Sequence, residues 1–240
     1  MAPFKIIAFD ADDTLWHTER LYVEAQDGLK NILASYGADQ DVHARLYATE
    51  MRNLETYGYG IKSFTLSMIE TAIELSGGRI SAADILSIID SARRMITADV
   101  HLLEHVARAV TELAAHHTLM LITKGDLRDQ ESKVARSGLA QSFGHIEIVS
   151  DKKSATYRSI LERYGVPPAD FLMVGNSIPS DIQPVLELGA SAVYIPHELT
   201  WAYDAADAPP TGKPGFHQLE SIGELPALVT RLESGPPSTP

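Results

Sequence analysis

Residues 4–15 read FKIIAFDADDTL. Phe4–Phe9 is a short apolar run without strict polar alternation, a pattern that predicts a strand covered on both faces. It ends on Asp10, Asp12 and Asp13, followed by Thr14. A buried strand that carries carboxylates to its C-terminal end matches the way open parallel sheets build ligand sites. Four more runs of this kind follow, at Leu119–Thr123, Ile146–Val149, Phe171–Val174 and Ala192–Ile195. Helical patterns lie between them, over Leu102–His116, Asp126–Gly138, Ala155–Gly165 and Asp181–Gly189. Gly138, Gly165 and Gly189 stand where those helices should stop. The alternation predicts an α/β protein with a three-layer, Rossmann-like parallel sheet and right-handed crossovers.

Residues 18–98 break the rhythm. They show no strand pattern and read as four helices, near Leu21–Tyr36, Val42–Tyr57, Ser63–Ser76 and Ala82–Thr97, punctuated by glycines. A block of ~80 residues is too long for a simple crossover. The expected organisation is an α/β core over residues 1–17 and 99–233, an inserted all-helical domain over 18–98, and a Pro-rich C-terminal tail over 234–240.

Composition bounds the function. The chain has 240 residues, 45% of them hydrophobic and 22% charged, which is ordinary for a globular protein. Lys and Arg number 20 against 32 Asp and Glu, for a formal net charge of −12. That balance argues against general nucleic-acid binding, which needs a basic face. It leaves room for a small anionic substrate, because a site can be locally positive on an acidic protein. The absence of cysteine removes disulfides, thiolate nucleophiles and Cys-based zinc sites. No stretch approaches the ~18 apolar residues of a membrane span, and the N-terminus meets aspartates too soon for a signal peptide. The expectation is a soluble cytoplasmic protein without membrane or nucleic-acid partners; its oligomeric state is not written in the sequence.

The predicted strand ends converge chemically. The first offers Asp10, Asp12, Asp13 and Thr14, the second Thr123 and Lys124, the third leads to Lys152 and Lys153, and the fourth to Asn176 and Asp181. Crowded carboxylates repel one another, and a hard cation such as Mg²⁺ relieves this while leaving positions for a phosphate oxygen. A carboxylate can attack phosphorus to give an aspartyl-phosphate. A second carboxyl two residues on can protonate the leaving oxygen and then activate water. A lysine and a hydroxyl can hold the phosphoryl group.

With these motifs in order, the sequence resembles the haloacid dehalogenase-like superfamily, whose known members are mostly phosphatases. The motifs are Phe9-Asp10-Ala11-Asp12-Asp13-Thr14-Leu15, the apolar strand closing on Thr123, a lysine at 152 or 153, and Gly175-Asn176-Ser177-Ile178-Pro179-Ser180-Asp181. The resemblance implies Asp10 as nucleophile and Asp12 as general acid/base. It implies Thr123 and the lysine as phosphoryl ligands, with Lys124 beside them. It also implies a Mg²⁺ held by Asp10, the Asp12 backbone carbonyl, Asp181 and the Asn176 amide. Lys152 is preferred because it follows its strand more closely. The helical insertion matches the family's cap in its first insertion position. Two residues depart from the family pattern. Asp13 stands where glycine is usual, and Asp tolerates left-handed backbone better than most residues. Asn176 stands where aspartate is frequent, which reduces the charge offered to a metal.

The resemblance thus implies Mg²⁺-dependent hydrolysis of a small phosphorylated metabolite. The alternatives are a sugar-phosphate mutase, which typically has Val where Thr14 stands, another phosphotransferase of the same superfamily, or a non-catalytic binding protein on this scaffold. Tyr57, Tyr59 and Lys62 form either a substrate-facing cap loop or a plain interhelical linker. Trp16, His17, Glu19 and Arg20 are expected to line the entrance, with interface packing as the alternative for Trp16. His101 and His105, four apart on the predicted helix, and the pair His116-His117 read as a solvated face rather than a zinc site. His197, Glu198 and Trp201 are candidates for the rim.

Overall fold

The structure, a computed structural model, describes residues 4–38, 41–199 and 208–234. Trp201 and all but the first residue of the predicted tail lie outside the described residues. The chain divides into two compact units. One, the sheet unit, comprises Met1–His17, Val100–Thr123 and Ser132–Pro240; the other, the helical unit, comprises Thr18–Asp99 and Lys124–Glu131.

The sheet unit is built on a six-stranded parallel sheet of order β3-β2-β1-β4-β5-β6. Its strands are β1 (Ile6–Phe9), β2 (Thr118–Lys124), β3 (His145–Val149), β4 (Phe171–Gly175), β5 (Ser191–Tyr194) and β6 (Phe216–Gln218). Strand β1 lies between β2 and β4, with Phe9 opposite Leu121 on one side and Val174 on the other. Successive side chains point to opposite faces. Ile7, Phe9, Leu119, Leu121, Leu172 and Val174 therefore enter one apolar cluster, and Ile6, Ala8, Met120, Ile122, Phe171 and Met173 the other. Both faces are covered, which is why the strands lack polar alternation. The first face is closed by α5 (Val106–Ala114) and α9 (Leu225–Ser234), the second by α7 (Ser154–Tyr164) and α8 (Gln183–Leu186). The result is a three-layer α/β fold, as expected.

The helical unit contains α1 (Glu19–Ala34), α2 (Val42–Tyr57), α3 (Ile61–Leu75) and α4 (Ala82–Thr97). Leu29, Leu33, Leu46, Phe64, Met68 and Ile88 form its separate core. The helix α6 (Leu127–Arg136) begins in the helical unit and ends in the sheet unit.

Two local expectations are corrected, and two elements were not anticipated. The helix expected from Leu102 starts only at Val106, because residues 101–103 bond to the turn after β1. His17 N–H donates to the His101 carbonyl, Leu103 N–H donates to the Leu15 carbonyl, and Leu102 bridges Trp16. His105 then has φ +68°, so His101 and His105 do not share a helix. The helix expected over Asp181–Gly189 is a π-type turn, Ile178–Ile182, followed by the single turn of α8; Asp181 sits in the π-type turn. Finally, β6 and α9 carry no sequence expectation at all, since three half-exposed strand residues are too few for a period to show.

Candidate active site

Asp10 follows β1 directly, and its N–H donates to the Val174 carbonyl at 2.8 Å. Its carboxylate accepts from Lys152 Nζ and, at 3.0 Å, from Thr14 Oγ1. Lys152 comes from the segment between β3 and α7, and its ammonium also reaches Asp181 Oδ1 at 2.8 Å. The other Asp181 oxygen accepts the Ser177 N–H at 3.1 Å. Three charged groups from three strand ends thus form one buried triad. Thr14 Oγ1 lies 3.2 Å from Asn176 Oδ1 as well, so one hydroxyl serves both motifs.

Two backbone features stand beside the triad. A Cβ at Gly175 would sit 2.3 Å from Asp181 Oδ2, so only glycine lets the carboxylate lie over the end of β4. Asp13 adopts φ +60°, the left-handed backbone anticipated where the family has glycine. Asp13 N–H closes the turn on the Trp16 carbonyl at 2.8 Å.

Burial and charge set the protonation. Burial pushes the Asp10 carboxyl up to about 6; Lys152 opposes this and Asp181 adds to it. Burial acts to lower Lys152, but Asp10 and Asp181 outweigh it and hold the ammonium above the ordinary lysine value. Tyr157, whose hydroxyl donates to the Ser180 carbonyl at 3.0 Å, is held well above the usual phenol range, first by burial and then by the two carboxylates.

The other expected residues fall into distinct places. Lys152, not Lys153, meets Asp10; Lys153 is exposed and pairs with Asp151 at 2.9 Å. Thr123 Oγ1 is fully buried and has no partner among the described residues. The Asp12 carboxylate is not in the triad. It accepts from Lys133 Nζ at 2.8 and 2.9 Å and from Trp16 Nε1 at 2.8 Å. Lys124, Tyr59 and Lys62 gather within the helical unit. Lys124 Nζ lies 4.4 Å over the Tyr59 ring, and Lys62 meets Asp126 through its N–H at 3.1 Å and its ammonium at 3.3 Å. Tyr57 is exposed. His197 Nε2 lies 3.7 Å from Asp13 Oδ1, and its ring meets His17 edge-on at 5.9 Å. His117 is not on a solvated face. It is tucked against the Phe4 carbonyl at 3.5 Å and Glu233 at 3.7 Å.

Among the described residues, no three His, Cys, Asp or Glu side chains form a ready metal cage. The hard donors present are the Asp10 and Asp181 carboxylates and the Asn176 amide oxygen. This set fits Mg²⁺, which binds through one or two carboxylates and keeps waters and phosphate oxygens for the rest.

Sequence reasoning missed Lys133 altogether and gave Trp16 only an entrance or packing role. A signal for Lys133 existed. On α6 the buried positions are Asp129, Gln130, Lys133 and Val134, so the buried stripe at helical spacing is largely polar. A lysine there needs a partner.

The sequence profile of one family, haloacid dehalogenase-like hydrolase, matches residues 4–189. An N-acylneuraminate-9-phosphatase of Rattus norvegicus is 29% identical over 136 residues, covering 54% of this chain and 52% of its own. The chain therefore spans about half the length of the curated relatives it matches. A haloacid dehalogenase-like family hydrolase from Xanthomonas campestris has a solved structure with TM-score 0.85 and 38% identity, covering 98% of this chain and 97% of its own. A HAD-hydrolase from Bacillus subtilis, described as bound to magnesium, shares the fold at TM-score 0.68 and 15% identity over 95% of this chain and 100% of its own.

Proposed function

The chain belongs to the haloacid dehalogenase-like hydrolase family, and we propose that it is a phosphatase acting on small phosphate monoesters through an aspartyl-phosphate on Asp10. The observation that carries this reading is the buried Asp10–Lys152–Asp181 triad. Burying such charges is costly, and phosphoryl transfer gives them a use. The phosphatases among the curated relatives support the reaction class.

In the first step an Asp10 oxygen attacks phosphorus. The bond to the leaving oxygen breaks, and that oxygen keeps the electron pair and takes a proton from the Asp12 carboxyl. In the second step water attacks the phosphorus of the aspartyl-phosphate, and Asp12 removes the water proton. The Asp10–phosphorus bond breaks, which regenerates the Asp10 carboxylate and releases inorganic phosphate. Lys152 neutralises charge on Asp10 and on the phosphoryl oxygens. The unpartnered Thr123 hydroxyl, from the strand paired beside β1, supplies a phosphoryl donor. A Mg²⁺ held by Asp10, Asp181, the Asp12 carbonyl and Asn176 would offset the charge on the phosphoryl oxygens when bound. The helical unit is proposed as the cap, with Tyr57, Tyr59 and Lys62 biasing substrate choice, and Lys124 as a further phosphoryl ligand beside Thr123.

The test is hydrolysis of an aryl phosphate with and without added Mg²⁺, combined with trapping of the phosphoenzyme. We expect turnover that needs Mg²⁺ and disappears in chelator, with label on Asp10 and none in Asp10→Asn. Full activity after exhaustive chelation, or phosphate trapped elsewhere, overturns the assignment.

A further inference from the structure

Asp10 and Asp12 are two residues apart, yet their carboxylates have separate partners. Asp10 is tied to Lys152 and Thr14. Asp12 is tied to Lys133 and Trp16. The Lys133 ammonium spans both Asp12 oxygens at 2.8 and 2.9 Å, and the indole N–H reaches Oδ1 at 2.8 Å. These three contacts fix the plane of the carboxylate about its last torsion, which is otherwise broad and soft.

Both donors are themselves held. Trp16 is 1% exposed and Lys133 only 9%. Trp16 is anchored by backbone pairing on two sides, with Asp12 and with Leu102. Lys133 stands in α6 beside Val134, which packs in the sheet core. The pair links residues 121 positions apart. An exposed lysine would lose rotamer freedom for little return, whereas a lysine this buried and bidentate presents its ammonium at a set point.

We propose that Lys133 and Trp16 are positioning residues for proton transfer: they orient the Asp12 carboxyl so that one of its oxygens meets the leaving group and then water. The proposal rests on the phosphatase reading, since it gives Asp12 a proton to move. It predicts a selective defect. Proton donation matters when the leaving oxygen is strongly basic, as in an alkyl phosphate. It matters little when the leaving group is a stable anion, as in 2,4-dinitrophenyl phosphate. A role in fold or phosphoryl binding would affect both esters alike.

The experiment measures kcat/KM for glycerol phosphate, phenyl phosphate and 2,4-dinitrophenyl phosphate in wild type, Lys133→Met, Lys133→Arg and Trp16→Phe, with thermal melts of each. In Lys133→Met we expect a loss of ~10²-fold on the alkyl ester, within the range of general acid–base contributions, and about 3-fold or less on the dinitrophenyl ester. The rate should therefore depend more steeply on leaving-group basicity. Lys133→Arg, which keeps a two-pronged cation, should recover part of the loss. Trp16→Phe should show the same selectivity more weakly. Equal losses on all esters, or no loss on any, overturn the proposal. If Lys133→Met melts too low to assay, the Trp16→Phe and Lys133→Arg selectivities decide the matter by the same criterion. Wild-type protein that hydrolyses none of these esters, nor any phosphorylated metabolite in a screen, overturns the phosphatase reading itself, and the positioning role falls with it.

Discussion

Arg52 of the helical unit reaches Glu70 at 2.9 Å and Glu74 at 3.3 Å, and these side chains are 50%, 42% and 37% exposed. Lys152 of the sheet unit reaches Asp181 at 2.8 Å, and both side chains are 1% exposed. The distances are alike and the energetics are not. On α2 and α3 the charges keep much of their water, so pairing gains little and leaving a partner unpaired costs little. At the strand ends both carboxylates are shielded from water and depend on the one ammonium between them. A fold tolerates such a group where chemistry requires it, so the buried triad points to function and the exposed network does not. The Asp12–Lys133 pair lies between the two, with Asp12 26% and Lys133 11% exposed at the side chain.

The sharpest way to break this comparison is Lys152→Met. Removing the ammonium leaves Asp10 and Asp181 facing each other without a cation, and a buried pair broken in this way costs about 3–5 kcal/mol. Denaturant melts of metal-free protein should show that loss, and added Mg²⁺ should restore part of it. A cost below about 1 kcal/mol would place the triad in the same class as Arg52 and remove its functional argument.

Gly175→Ala probes the same site from the backbone. Its Cβ would lie 2.3 Å from Asp181 Oδ2. We expect about 1–3 kcal/mol of destabilisation, as for overpacking generally, together with a fall in kcat as Asp181 is displaced. Unchanged melting and turnover would show that Asp181 need not lie over β4.

In the helical unit the expected effects move from stability to selectivity. Tyr59→Ala and Lys62→Ala should change which phosphorylated metabolite is preferred while a small aryl phosphate is much less affected, as kcat/KM for both substrate types will show. If both types fall together by a large factor, these residues support chemistry or folding instead. If neither changes, the loop is only a linker. The smallest effect is expected for Arg52→Ala, within about 1 kcal/mol in the same melts and with no change in turnover.

Much of the sheet unit was legible because a strand buried on both faces leaves a continuous apolar run. Phe4–Phe9, Phe171–Val174 and Leu119–Thr123 announce β1, β4 and β2 in this way, and the polar residues at their ends announce Asp10, Thr123 and Asp181. Residues 101–105 were not legible. Their spacing suits a helix, but their backbone bonds to the turn at Leu15–His17, and that competition is decided across more than 80 positions. The partnership of Asp12 with Lys133 was hidden for the same reason, since its members are 121 positions apart.

The sequence by itself determined which residue types reach the strand ends and in what order. Short-range periodicity and turn chemistry are enough for that. It favoured Lys152 over Lys153 by closeness to the strand but could not fix the choice. Successive side chains of extended backbone point in opposite directions, and Lys153 is extended at φ −97°, ψ 163°. Which of the two faces Asp10 depends on how the end of β3 is set against β1 and β4. Only the packed sheet fixes that direction, and it buries Lys152 between two carboxylates while leaving Lys153 in water.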